Sequence, residues 1–200
     1  MTGVDWQTVR EIAQGHMPAG IYAHCAGTSS CAKDLALVYG VDPEPVMLAG
    51  LLHDWSRAVD DTTLLARAKE CGIPVDAVDL MAPHLLHAQV GVVELRATFP
   101  WIGEDVLRSI QAHTLGSPEM TDADMIVYVA DMIEPGRRCQ RAQRLRESVG
   151  RGTLFELYSS AYAATFFELI ERKQHLHPVT VDSWNSIVDR ISAESYAHEQ

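Results

Sequence analysis

Residues Asp42-Pro43-Glu44-Pro45-Val46-Met47-Leu48-Ala49-Gly50-Leu51-Leu52-His53-Asp54 decide how the rest of the chain is read. Asp42 before Pro43 reads as a helix N-cap with proline at the first helical position, where its missing N–H is no loss. The helix should run to about residue 53. Its apolar stretch, Val46 to Leu52, is far short of the ~20 residues of a membrane span. It ends in an imidazole beside a carboxylate. Helical neighbours diverge by about 100°, so His53 and Asp54 reach one centre most easily at a helix end. Trp55-Ser56-Arg57 fits such an end, and the partial negative charge of a helix C-terminus favours a cation there.

The helical period continues on both sides. In 19–39, His24, Thr28, Cys31, Leu35 and Val38 recur along one face. Further helices are expected over roughly 61–70, 86–98, 104–113, 122–134, 138–148, 153–173 and 181–195. The breaks fall at turn chemistry such as Gly72-Ile73-Pro74, Phe99-Pro100, Gly116-Ser117-Pro118 and Gly150-Arg151-Gly152. Period-2 alternation is absent, so the fold class is all-α. The 200 residues read as a single domain, with a core over about 19–150 and the helices of 151–200 packing on it. A chain of this length can bury about 70% of its unfolded surface.

With 16 basic against 27 acidic residues the formal charge is −11, which disfavours nucleic acid and anionic membrane as partners. Without an apolar leader near the N-terminus the chain is expected to be cytoplasmic. The four cysteines (Cys25, Cys31, Cys71, Cys139) lack metal-ribbon spacing and read as reduced thiols serving as small core residues.

Nine histidines carry more information. His24 shares its stripe with Leu35. His53 lies on the stripe of Val46, Ala49 and Gly50, His87 on that of Val90 and Gly91, His113 on that of Val106 and Ile110, and Asp131 on that of Val127 and Tyr128. One such residue is best read as a core histidine bonded to a carbonyl. Five helices each turning a polar group inward point to a shared cation, because buried unpaired imidazoles and carboxylates are costly. Imidazole and carboxylate without thiolate suit iron, manganese or zinc. Six ligand-type residues, His24, His53, Asp54, His87, His113 and Asp131, exceed the need of one tetrahedral ion and suggest two, with open positions for water and substrate.

His24, then Ala49-Gly50-Leu51-Leu52-His53-Asp54, Leu86-His87-Ala88, His113-Thr114-Leu115-Gly116 and Ala130-Asp131-Met132-Ile133-Glu134-Pro135-Gly136-Arg137 together resemble the HD-domain hydrolase superfamily. Within it the H-T-x-G and A-D-x-I-E-P-x-R strings are most similar to the YqeK-like symmetrical bis(5′-nucleosyl)-tetraphosphatases, over about residues 19–188. The resemblance implies an HD-domain helical bundle that cuts diadenosine tetraphosphate into two ADP. It places His24, His53, Asp54 and Asp131 on one metal and His87 and His113 on a second, with Asp54 bridging. It also implies iron, for which manganese and zinc are the alternatives. Ile21, Thr28 and Met125 depart from the family pattern without touching a ligand, and Arg57 stands where lysine is usual.

For a nucleotide substrate the cationic contacts matter next. Arg137, tethered six residues after Asp131, is the first candidate, followed by Arg57 and then Thr114 beside His113. His177, before Pro178, is a candidate nucleotide neighbour. His84, three residues before His87, is a candidate acid for the leaving group, alongside Asp54 as catalytic residue. His16 and His198 read as solvent residues near the termini. Turnover of another nucleotide and a non-catalytic nucleotide-binding role are the competing functional readings. The sequence leaves the oligomeric state open.

Overall fold

Helix formation at the key stretch begins as the sequence dictates: the Asp42 carboxylate accepts the Glu44 N–H at 3.1 Å, with Pro43 at the first helical position. In this computed structural model, which describes residues 4–198, that helix is the third of eleven, and no strand occurs among the described residues. The helices are α1 (Trp6–His16), α2 (Ala19–Tyr39), α3 (Pro43–Leu52), α4 (Asp61–Glu70), α5 (Ala77–Met81), α6 (His87–Thr98), α7 (Glu104–Ala112), α8 (Asp122–Ile133), α9 (Gln140–Ser148), α10 (Leu154–Glu171) and α11 (Pro178–His198). A 3-10 turn, Pro83–Leu86, leads into α6. None of the described helices is long and apolar enough to cross a membrane.

Three elements lay outside the sequence expectation. α1 buries only Val9 and Ala13, a stripe too thin to read, and is started by Asp5 accepting the Thr8 N–H. α5 is five residues long, too short to show a period, and depends on a reciprocal capping box between Asp76 and Asp79. The turn at Pro83–Leu86 is shorter still. α11 begins at Pro178 rather than 181, because the His177 imidazole accepts the Val179 N–H and starts the helix three residues earlier.

The face of α2 also differs in detail. Its buried residues are Cys25, Thr28, Ser29, Ala32, Leu35 and Ala36, whereas Val38 is exposed and Cys31 only half-buried. Only Cys25 of the four cysteines is a core residue; Cys71 and Cys139 are exposed. Met125 is buried in the apolar core, so its departure from the family pattern acts on packing.

α3 is buried on nearly every side, from Val46 to Leu52, and lies between α2, α7 and α8. Its contact with α2 is set by Gly50. A Cβ there would stand 3.0 Å from Ser29 Cα and 3.2 Å from the Thr28 carbonyl carbon, so only hydrogen allows this approach. The Ser29 hydroxyl donates to Met47 O at 2.8 Å across the same seam. α8 lies against α2, α3, α7, α9 and α10. Tyr128 of α8 meets Tyr158 and Tyr162 of α10 with ring centres 5.3–5.5 Å apart. Tyr162 also donates its hydroxyl to Leu115 O at 2.6 Å. At Gly116, with φ of 79°, a Cβ would collide with that tyrosine ring at 2.7 Å. The C-terminal helices are thus fastened to the segment carrying His113 and Thr114.

Replacing Gly50 by alanine forces α2 and α3 apart. Overpacking of this kind costs about 1–3 kcal/mol, and denaturant unfolding of Gly50→Ala is expected to show a loss of that size.

Candidate metal centre

Four histidines reach the interior from helix ends and edges. His53 is the C-cap of α3 and His113 the C-cap of α7, while His87 stands at the junction of the 3-10 turn and α6. Each of the three donates its Nδ1–H to the carbonyl three residues earlier: His53 to Gly50 O at 2.9 Å, His87 to His84 O at 2.6 Å, His113 to Ile110 O at 2.6 Å. His24, in the body of α2, donates its Nδ1–H to Glu134 Oε1 at 3.1 Å. With every Nδ1 holding a proton, each ring in its neutral form presents an Nε2 lone pair inward.

Those lone pairs gather around Asp54. Its Oδ1 lies 3.1 Å from His87 Nε2 and 3.7 Å from His113 Nε2. Its Oδ2 lies 3.5 Å from His53 Nε2 and 3.9 Å from His24 Nε2. Asp131, from the last turns of α8, brings Oδ1 to 2.8 Å from His24 Nε2 and 3.8 Å from His53 Nε2. One carboxylate therefore faces two separate imidazole pairs, and the second carboxylate closes one of them. All six residues singled out from the sequence converge.

The electrostatics are those of a site made for cations. Burial would raise the carboxyl of Asp54, but hydrogen bonds and positive charge from the His113, His53 and His87 rings, when these carry a second proton, hold it far below the usual range. Asp131 is likewise held low against burial by His24, His53 and Arg137. Burial drives His53 down to about 4, so its ring is neutral at pH 7. Its Nε2 is fully buried and has no hydrogen-bond partner. A buried, orphaned nitrogen lone pair directed at two carboxylates fits a divalent ion, which would satisfy it at once. The triads His24/His53/Asp131 and Asp54/His87/His113 each lie close enough to share one ion. Cys25 is also near His53 and Asp54, but burial pushes its thiol far up and leaves it a poor ligand at neutral pH.

Around this cluster the other candidates sort themselves. Arg137 donates to Asp131 Oδ1 at 2.7 Å and to Asp131 O at 3.0 Å, its guanidinium half-exposed at the mouth. Thr114 Oγ1 lies 3.1 Å from His113 Nε2 and 3.4 Å from His87 Nε2. From Thr114 a cavity of about 390 Å3 extends past His84, Leu115, Tyr128, Tyr162 and Thr180. His84 is exposed on its wall, and its carbonyl orients His87. Arg57 is exposed one turn beyond Asp54, and only its backbone N–H, donating to Asp54 O at 3.0 Å, ties it to the site.

His177 also lines the cavity, but its ring is committed elsewhere. Nδ1 accepts the Val179 N–H, which leaves the proton of a neutral ring on Nε2, 3.1 Å from Asp76 Oδ2 and 3.4 Å from Asp79 Oδ1. These three also lie close enough to share one ion. They clasp the start of α11 to α5, and within the clasp His177 Nε2 and Asp79 Oδ1 are buried with no hydrogen-bond partner. His16 is exposed, as expected, and its ring stacks on Trp55 with ring centres 3.9 Å apart. The side chain of His198 lies outside the described residues.

Glu134 was quoted in the sequence motif without a role. It is buried, fixes His24, and accepts the Gly136 N–H at 2.5 Å. The signal that could have found it is a pair of glycines: a Cβ at Gly27 or Gly136 would come within 2.7–2.8 Å of its carboxylate. Carboxylates behind ligand imidazoles are worth about 10–100-fold in metal affinity. Metal titration by calorimetry is expected to show such a weakening in Glu134→Gln with little loss of helicity.

Comparison with known proteins agrees with this geometry. The HD domain family matches residues 21–136. A symmetrical bis(5′-nucleosyl)-tetraphosphatase of Halalkalibacterium halodurans is 28% identical over 89% of this chain and 94% of its own length. A protein of the same name from Bacillus subtilis is 29% identical over 84% of this chain and 89% of its own. A crystal structure from Clostridium acetobutylicum, described as a predicted HD superfamily hydrolase involved in NAD metabolism, superimposes with a TM-score of 0.86. It covers 94% of this chain and 99% of its own at 26% identity.

Proposed function

Because the chain belongs to the HD domain family, we propose that it is a metal-dependent hydrolase that cuts diadenosine tetraphosphate symmetrically into two ADP. The observation that carries the reading is the junction, at Thr114, of a six-ligand cluster divided by Asp54 with a cavity of about 390 Å3. Such a volume lies within the ~300–1,000 Å3 usual for small-molecule sites. Tetraphosphatases similar along most of the chain support the substrate class.

His24, His53, Asp54 and Asp131 would hold one divalent ion, and Asp54, His87 and His113 the other, with iron first and manganese or zinc as alternatives. When bound, such ions neutralise phosphate oxygens and supply a water that ionises near neutral pH. The protein's own groups do the rest. The Nδ1 bonds to Gly50, His84, Ile110 and Glu134 keep the four rings oriented, so little reorganisation is needed during reaction. Arg137 at the mouth offers fixed positive charge to the phosphate chain, and Arg57 a second cation one turn from Asp54. The Thr114 hydroxyl donates to a phosphate oxygen beside the His87–His113 pair. His84, on the cavity wall, would give a proton to the departing ADP. His177 shapes the nucleotide side through its clasp on Asp76 and Asp79.

Metal-loaded protein incubated with diadenosine tetraphosphate is expected to yield ADP alone by chromatography, and AMP plus ATP would overturn the assignment. Asp54→Asn is expected to lower kcat by ~1,000-fold or more, about 4 kcal/mol in barrier, while Arg57→Met changes it far less.

A further inference from the structure

The chain leaves α10 through a left-handed residue. Lys173 has φ of 54°, the one positive value at a non-glycine among the described residues; the other positive values belong to Gly40, Gly72, Gly116 and Gly150. Its N–H donates to Ile170 O at 3.0 Å, and the Gln174 N–H donates to Leu169 O at 2.9 Å. These bonds close the helix and require the left-handed turn. Glycine meets that requirement without strain, and lysine does not.

The same turn delivers Lys173, Gln174 and His175 to the wall of the cavity that begins at Thr114. Lys173 is the one permanently charged side chain of that wall. The other titratable groups that face it are His84, His175 and His177 with Tyr128 and Tyr162, and neither Asp nor Glu takes part. In a chain with 27 acidic and 16 basic residues, a wall free of carboxylates with an exposed lysine in its lining suits an anion. Leu85, Leu115 and Leu169 supply the apolar remainder, which suits a base. A strained backbone position occupied by the only fixed cation of a cavity is the arrangement expected when a side chain is kept for binding at the expense of stability.

We propose that Lys173 is a specificity-determining residue whose ammonium pairs with a phosphate of the nucleotide held in this cavity. The proposal rests on the reading of the cavity as the nucleotide side of the hydrolase site.

The test compares wild type, Lys173→Gly, Lys173→Met and Lys173→Arg by thermal unfolding, by steady-state turnover of diadenosine tetraphosphate, and by calorimetric binding of ADP to the metal-loaded proteins. Lys173→Gly is expected to raise Tm, because the strain is relieved, and yet to raise KM by ~10-fold with kcat within ~3-fold. Lys173→Met should raise KM similarly without the gain in Tm, and Lys173→Arg should return KM to within ~3-fold of wild type. A KM and an ADP affinity unchanged within twofold in both Lys173→Gly and Lys173→Met would overturn the proposal while leaving the tetraphosphatase reading intact. Wild type that cleaves no tetraphosphate would overturn that reading. The ADP affinities of wild type and Lys173→Met would still decide the role of Lys173.

Discussion

A single carboxylate organises this protein. Asp54 presents one oxygen to His87 and His113 and the other to His24 and His53, and Asp131 completes the second group. Four imidazoles and two carboxylates cannot be taken from water into a helical interior without partners. The helices must therefore meet with their polar groups in register, and the surrounding apolar surfaces have to allow it. Gly50 brings α2 against α3, so that His24 stands opposite His53. A side chain at that seam would separate the two halves of the site.

Orientation and convergence have different origins. Three of the four rings are aimed by a bond to a carbonyl three residues earlier, a local device that needs only the C-terminal turn of a helix. The free carbonyls of that turn, otherwise in search of donors, become the supports of the imidazoles. Convergence belongs to packing: α8 touches α2, α3, α7 and α10 and so carries Asp131 to the point where the other helix ends meet. Glu134 joins the two levels, because it belongs to the end of α8 yet orients the ring of His24 from α2.

The C-terminal helices complete the cavity beside the centre. Tyr162 ties α10 to the loop after His113, and the His177 clasp ties the start of α11 to α5. The wall formed in this way carries histidines and a lysine without a carboxylate, although acidic residues dominate the chain. Carboxylates thus gather at the Asp54–Asp131 cluster and on other faces, and the cavity wall beside that cluster is left without them.

The sequence by itself determined the helices with a clear period, the end of α3 at His53-Asp54, and the six ligand-type residues, because five of them interrupt an apolar stripe and so advertise their inward direction, and Asp54 follows His53 at the helix end. It could not reveal α5, which is held by two side-chain caps rather than by a repeating face, nor the clasp of His177, whose partners Asp76 and Asp79 lie about a hundred residues earlier. Nor could it assign Glu134, since a carboxylate at a helix end looks solvated until the glycines opposite are seen to make room for it. Tertiary structure alone decided which oxygen of Asp54 faces which pair of histidines and which side chains line the cavity. Those are questions of distance between helices, and distance between helices is set by side-chain volume at the seams, a quantity that no single helix encodes.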